Sequence, residues 1–223
     1  MPSNILVDIG STNTKWKIGN TYFLLPNESF EFDKLPECSQ IWVSNVSAKS
    51  FDLDNPYIRF VESQEKYKLL TNSYSDPGSL GCDRWLGMIA SYEISKGNSF
   101  ILIDIGTAIT FDIVDKLGIH LGGLIFPGLD KLRQTFNNFP VSSIENINEI
   151  GQTTENAWSI GTLNLIVNTI NKKIKELKNK IPNTSILITG GGYVQVSDFL
   201  EFNHVYYPNL VLDGLEFYVD NMG

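Results

Sequence analysis

Apolar residues fall along this chain in short clustered runs, and the spacing inside the runs changes character twice. Over 5–9, 14–18, 41–46 and 58–61 the runs are rich in Val, Ile and aromatic residues and are bounded by Asn, Asp, Pro and Ser, a pattern that predicts strands. From Asp83 the stretch DRWLGMIASYEIS puts Leu86, Ile89, Ala90 and Ile94 on one helical face, and Lys96-Gly97-Asn98 supplies a stop. Strand periodicity then restarts over 101–105, 109–114 and about 121–126, and breaks at Pro127-Gly128 ahead of a short helix. A longer helix is predicted from about 154 to 177, with Leu163, Ile166, Val167, Ile170, Ile174 and Leu177 at helical spacing. Its basic end, Lys172, Lys173, Lys175 and Lys178, suits the negative end of the helix dipole. SILITGGG at 185–192 predicts a buried strand running into a glycine turn, and 211–219 a closing helix. The restart divides the chain into an N-terminal lobe, 1–98, and a C-terminal lobe, 99–223.

Each lobe opens on the same segment. ILVDIGSTNTKWKI at 5–18 and ILIDIGTAITFDIV at 101–114 align without a gap, Asp8 on Asp104, Gly10 on Gly106 and Thr14 on Thr110. A glycine after the aspartate permits a tight hairpin, whose backbone N–H groups, with the hydroxyls of Ser11, Thr12, Thr107 and Thr110, can point at one anion. Two such hairpins facing one polyphosphate would grip it from both sides, with Asp8 or Asp104 holding a metal ion and Lys15 neutralising further charge. A single Asp-Gly turn is ordinary hairpin chemistry, whereas a gapless duplicate heading both lobes points to a shared ligand.

A second motif lies between the copies, in YSDPGSLGCDRWLG at 74–87. Asp83 and Arg84, just ahead of the predicted helix, read either as a capping aspartate with a surface arginine or as functional groups. In the second case the carboxylate takes a proton from a substrate alcohol and the guanidinium holds the substrate's polar or anionic groups.

Composition narrows the partners. A formal charge of -8 and a pI near 4.8 argue against a nucleic-acid-binding surface, so an anionic ligand must be met locally by backbone amides, a metal ion or a few placed cations. Cys38 and Cys82 lack zinc or redox spacing, which suits a reducing compartment. With no charged-then-apolar leader and no apolar run of membrane-spanning length, a cytoplasmic location and no membrane partner are expected. His120 and His204 stand outside any ligand or triad context and are assigned no chemistry.

The duplicated hairpin resembles the two phosphate hairpins of the actin-like superfamily of acetate and sugar kinases, heat-shock ATPase chaperones and actin. That resemblance implies an α/β, ribonuclease H-like fold of two lobes, each a mixed sheet flanked by helices, with nucleotide held between them. DIGSTNTKW, GCDRW, DIGTAIT, GGLIFPG and TTENAWSIG follow one another in the order and rough spacing of the type III pantothenate kinases, across nearly the whole chain. The resemblance implies ATP-dependent phosphorylation of pantothenate, the first step of coenzyme A synthesis, in a homodimer using Mg2+ with ATP and a monovalent cation, K+ or NH4+. By matching position, Asp8, Gly10, Ser11, Thr12, Asn13, Thr14 and Lys15 would form the first ATP phosphate loop, with Asp8 near the magnesium. Asp83 would be the catalytic base within a substrate motif of Gly81, Cys82, Asp83 and Arg84. Tyr74, Arg84 and Thr154 would contact pantothenate, Asp104 would bind the monovalent cation, and Gly106 and Thr107 would contact ATP. The glycines of TGGG, 189–192, would lie on the adenosine side, and the long helix would serve the dimer. The family's first motif usually reads Asp-x-Gly-Asn; here Ser11 replaces the asparagine amide with a hydroxyl. Two rival readings are a non-catalytic nucleotide-binding accessory factor for transcription with the same fold, and an actin-like ATPase or polyphosphate hydrolase.

Overall fold

The computed structural model describes residues 4–47 and 55–222. In chain order the elements begin with β1 (Ile5–Ile9), β2 (Asn13–Ile18), β3 (Thr21–Pro26), β4 (Ile41–Asn45), β5 (Ile58–Phe60), β6 (Lys66–Tyr67) and β7 (Leu70–Thr71). They continue with α1 (Cys82–Ile94), β8 (Phe100–Ile105), β9 (Ala108–Val114), β10 (His120–Pro127), α2 (Leu129–Arg133) and α3 (Thr154–Lys180). The chain closes with β11 (Ser185–Thr189), α4 (Tyr193–Val196), β12 (Val205–Tyr206) and α5 (Leu210–Met222).

These elements form two compact units: Met1–Phe100 with Asp112–Gly122 and Asn209–Gly223, and Ile101–Phe111 with Gly123–Pro208. Beside the sequence division at 98/99, the first unit takes in Asp112–Gly122 and the closing helix. Gly214 of α5 lies so close to α1 that a Cβ there would overlap the Leu86 carbonyl oxygen, and this contact ties the helix to the first unit. Lys17 of β2 adds a 2.7 Å ion pair to Glu216, and Gln64 donates to the Tyr218 hydroxyl at 2.9 Å. Periodicity identifies such a helix but carries no record of what it packs against.

In the first unit the sheet order is β3-β2-β1-β4-β5, with β2 antiparallel to β1 and to β3, and β4 parallel to β1 and to β5. Alternation along β1, β2 and β4 turns Ile5, Val7, Ile9, Trp16, Ile41 and Val43 into one buried cluster. The same registers set Asp8 opposite Lys15 on one side and opposite Ser44 on the other. The second sheet has the order β10-β9-β8-β11-β12, the same order element for element, so the sequence repeat marks a duplicated α/β topology. In the second unit α3 buries Ile160, Leu163, Ile166, Val167, Ile170 and Ile174, while Leu177 at its end stays half-buried.

Sequence periodicity missed β3, β12 and the small β6–β7 hairpin. β3 is an edge strand exposed along its whole length, with no inward face to produce alternation; Phe23 stacks on Trp16 at 3.8 Å and the Tyr22 ring lies 5.3 Å from Lys17 Nζ.

Gly214→Ala forces a methyl group into the Leu86 carbonyl. The expected cost is about 2 kcal/mol, as for other overpacked sites, read as a lower urea midpoint at an unchanged slope. An unchanged midpoint would contradict the close α1–α5 contact.

Candidate active site

The first hairpin turn is closed by Gly10 N–H donating to the Asn13 carbonyl at 3.0 Å. Asn27, just beyond β3, braces it from behind. Its side-chain amide donates to the Gly10 carbonyl at 2.8 Å, its backbone N–H donates to the Thr12 carbonyl at 3.1 Å, and its Oδ1 accepts from the Thr14 hydroxyl at 2.9 Å. Ser11, Thr12 and Asn13 are left exposed at the tip. Thr14 is fully buried, its hydroxyl turned to Asn27 and away from the turn's outer surface. Lys15 stays half-buried beside Asp8.

Asp8 ends this hairpin's first strand with a carboxylate in an unfavourable place. Its Oδ1 is shut off from solvent and has no hydrogen-bond partner. Burial, and then the negative charge of Asp83, push its pKa up to about 7, against the opposing pull of Ser44 and Lys15. The neighbouring carboxylate comes from α1. That helix is capped at Gly81, so Asp83 and Arg84 lie inside its first turn, and the expected capping role for Asp83 is not the one observed. Asp83 Oδ1 instead accepts from the Arg84 backbone N–H at 2.7 Å, and a Cβ on Gly81 would come within 2.7 Å of the same oxygen. The glycine is required for the carboxylate to occupy that position. Burial raises the Asp83 pKa as well. Cys82 lies 3.3 Å from the Ser44 hydroxyl, and burial pushes its thiol pKa up.

Among the described residues no group of three or more His, Cys, Asp or Glu side chains could hold a metal by itself. One unpartnered carboxylate oxygen on Asp8, with a second carboxylate nearby, fits the hard cation Mg2+, which takes most of its ligands from water and phosphate.

Behind the carboxylates Arg84 is almost entirely buried in a network that the sequence did not announce. Its Nε donates to Asp112 Oδ2 at 3.0 Å and its Nη2 to Asp112 Oδ1 at 2.6 Å, while Nη1 donates to the Tyr74 hydroxyl at 2.9 Å. Its side chain is 7% exposed and that of Asp112 0%. Burial works to lower the Arg84 pKa, and the bonds and charge of Asp112 outweigh it, so the guanidinium stays charged. His120, assigned no chemistry from sequence, places Nε2 3.0 Å from Asp112 Oδ1.

In the second unit the repeated turn is tighter by one residue: Gly106 N–H donates to the Ala108 carbonyl at 3.0 Å. Gly128, from GGLIFPG, donates to the Thr107 carbonyl at 2.9 Å, and a Cβ on it would overlap the Gly106 carbonyl. Asp104 meets the other glycine motif. Gly190, at φ +94°, fits against the Asp104 carboxylate and the Ile105 carbonyl with no room for a Cβ, and Gly192 N–H donates to Ile105 at 2.8 Å. Tyr206 closes the turn by donating to the Gly190 carbonyl at 3.2 Å and stacks on Tyr193 at 4.0 Å. The Thr110 hydroxyl is buried without a partner, turned away from any exposed ligand. Thr154 is exposed as the first residue of α3, and its neighbour Thr153 is the cap, accepting from Asn156 N–H at 3.1 Å.

Two sheets of one order, each led by an Asp-x-Gly hairpin, define the actin-like class of ATPases and sugar kinases. Solved structures agree on that fold. A Campylobacter jejuni protein described as a conserved Baf family transcriptional activator shares 24% identity over 98% of each chain at a TM-score of 0.66. A Sinorhizobium meliloti protein described as a 2-dehydro-3-deoxygalactonokinase shares 9% identity over 98% of this chain and 99% of its own, at a TM-score of 0.60. Residues 24–176 match the model of the type III pantothenate kinase family. The type III pantothenate kinase of Cellvibrio japonicus is 29% identical, with 96% of each chain covered. The chain belongs to the type III pantothenate kinase family and is a kinase.

The Asp8 carboxyl makes a signed prediction for the protein in excess chelator. Its folded pKa of about 7 lies above the ordinary value of 3.8, so the folded state holds an extra proton between those limits. Wild-type stability therefore falls as pH rises through that window and levels off above it. Asp8→Asn is expected to be more stable than wild type by on the order of 3 kcal/mol at pH 8, with the gain shrinking toward pH 4 in urea titrations. A gain that grows on acidification would contradict the raised pKa of the buried Asp8 carboxyl.

Proposed function

We propose that this kinase transfers the γ-phosphoryl group of ATP to the terminal hydroxyl of pantothenate, the opening step of coenzyme A synthesis, with Asp83 as the base. Family membership supplies the reaction, and the fixed Asp83 carboxylate beside Asp8 is the observation that carries the assignment. As the alcohol oxygen attacks in line, its proton passes to Asp83, the new P–O bond forms, and the bond from the γ-phosphorus to the bridging oxygen of ADP breaks. A raised Asp83 pKa suits a group that must take up a proton.

Asp8 is the residue that would hold Mg2+ brought with ATP, and that ion supplies neutralisation of phosphate charge. The exposed tip of Ser11, Thr12 and Asn13, with Gly10 and Lys15, receives the phosphates. Gly106 and Thr107 are assigned to ATP in the same way. Asp104, with the Ile105 carbonyl on the Gly190 turn, offers oxygen ligands suited to a monovalent cation. Tyr74, Arg84 and Thr154 are each assigned to pantothenate by the family motifs they match. Ser11 donates one hydrogen bond where the family's usual asparagine offers an amide.

The reading includes a homodimer in the cytoplasm. Its support is that Ala157, Gly161 and Leu165 lie exposed in one stripe of α3, and that no helix among the described residues is long and apolar enough to cross a membrane. The intact Asp83–Arg84 motif favours an enzyme over a nucleotide switch, since a switch has no use for a base.

Asp83→Asn keeps the shape of the side chain and removes its basicity. ATP binding by calorimetry is expected to stay within about threefold of wild type while kcat falls by roughly 10²- to 10⁴-fold. A variant that turns over pantothenate at the wild-type rate would remove Asp83 as the base.

A further inference from the structure

We propose that Asp112 and His120 are positioning residues that act through Arg84 on Tyr74, so that the Tyr74 hydroxyl is the donor presented to the substrate's anionic end. The inference rests on the pantothenate reading above and divides the labour within it.

The count of donors on Arg84 is the starting point. Of its five N–H groups, two form a fork onto the Asp112 carboxylate and a third is given to Tyr74. Both members of the ion pair are buried, and the charge of the guanidinium is matched at 2.6 Å by a carboxylate with no exposure. Two N–H groups remain, on a side chain only 7% exposed, so Arg84 has little surface with which to meet a ligand. Tyr74, by contrast, is half-exposed, and because its oxygen accepts from Arg84 its own proton is free to be donated outward. Accepting a bond from a cation makes that O–H a stronger donor.

Three contacts fix Tyr74 in this attitude. Its ring lies near-parallel to His120, with centroids 5.9 Å apart at 15°, and the Arg84 guanidinium carbon is 5.6 Å from its centroid. Its backbone N–H donates to Asn72 Oδ1 at 3.1 Å, and the buried Asn72 amide is anchored on the Gln64 and Pro77 carbonyls at 3.3 and 3.2 Å. His120 therefore touches both ends of the chain, the Tyr74 ring and the Asp112 carboxylate.

The chemistry of His120 agrees with a role through Asp112. Asp112 Oδ1 also accepts from the Arg84 guanidinium, so the contact at 3.0 Å is a hydrogen bond in which His120 Nε2 donates to the carboxylate. Its Nδ1 is buried with no partner in reach. A leucine or phenylalanine would fill the space without leaving a buried polar atom unsatisfied, so the ring is accounted for by what Nε2 does. It occupies an Oδ1 lone pair and holds the carboxylate in the plane that Arg84 requires.

The test compares pantothenate with its neutral analogue, in which a primary alcohol replaces the carboxylate. Tyr74→Phe is expected to raise KM for pantothenate about tenfold, leave KM for ATP unchanged, and erase most of the preference for the carboxylate. His120→Leu should move in the same direction by several-fold, and His120→Gln, whose amide nitrogen can stand where Nε2 stands, should restore the wild-type preference. Loss of turnover on both acceptors together with a raised KM for ATP would indicate a merely structural role and overturn the proposal. So would equal behaviour of the Leu and Gln variants. Should His120→Leu fail to fold, Tyr74→Phe, altered at a half-exposed hydroxyl, decides alone: unchanged discrimination by it overturns the assignment. A wild-type protein that phosphorylates neither acceptor would overturn the underlying pantothenate reading instead.

Discussion

The buried ion pair between Arg84 and Asp112 is the constraint on which the first unit's chemistry depends. It joins the first turn of α1 to the far end of β9 with two charge-assisted hydrogen bonds in a place closed to water. Removing either partner would leave a lone charge in low dielectric, a far larger penalty than the pair itself returns in stability. The pairing thereby fixes the start of α1, and with it the direction of Asp83, whose carboxylate is held by the backbone N–H of the same arginine. One residue thus serves two neighbours: its main chain orients the proposed base and its side chain orients Tyr74.

Glycine decides the rest of the layout by permitting contacts that a methyl group would forbid. Gly81 makes room for the Asp83 carboxylate, Gly128 lies against the second hairpin, and Gly190 lies against Asp104. The last two bring a loop into contact with a residue of the duplicated motif, and the first sets the proposed base. The two hairpins are not interchangeable in consequence. The first is wider by a residue, is braced by Asn27 and faces Lys15; the second is tighter and backed by the Gly128 and Gly190 turns.

Much of the fold was legible because its signals are local. The main strand runs, the long helix and the duplicated Asp-x-Gly segment all follow from periodicity and turn chemistry, and GCDRW stood out as charge at a helix start. What escaped depends on partners distant in sequence. Asn27 and Ser44 look ordinary until the sheet registers bring them to the hairpin and to Asp8. In the sequence His120 is a lone histidine, and its placement 3.0 Å from Asp112 is what gives it a partner. One mark was present and unread: in the aligned repeat, Asp112 occupies the position of Trp16, a core residue of the other copy. A carboxylate on a core position requires a buried cation, and Arg84 is that cation.

The proposed function couples ATP consumption to one specific alcohol. It is tested most directly by following ADP release and the phosphorus spectrum of the products together, with and without pantothenate, in the presence of Mg2+ and either K+ or NH4+. ADP release that requires pantothenate, with one new phosphomonoester resonance formed in equal amount, is the expected result. ADP and inorganic phosphate appearing at the same rate without pantothenate, or no ADP with either cation, would contradict it.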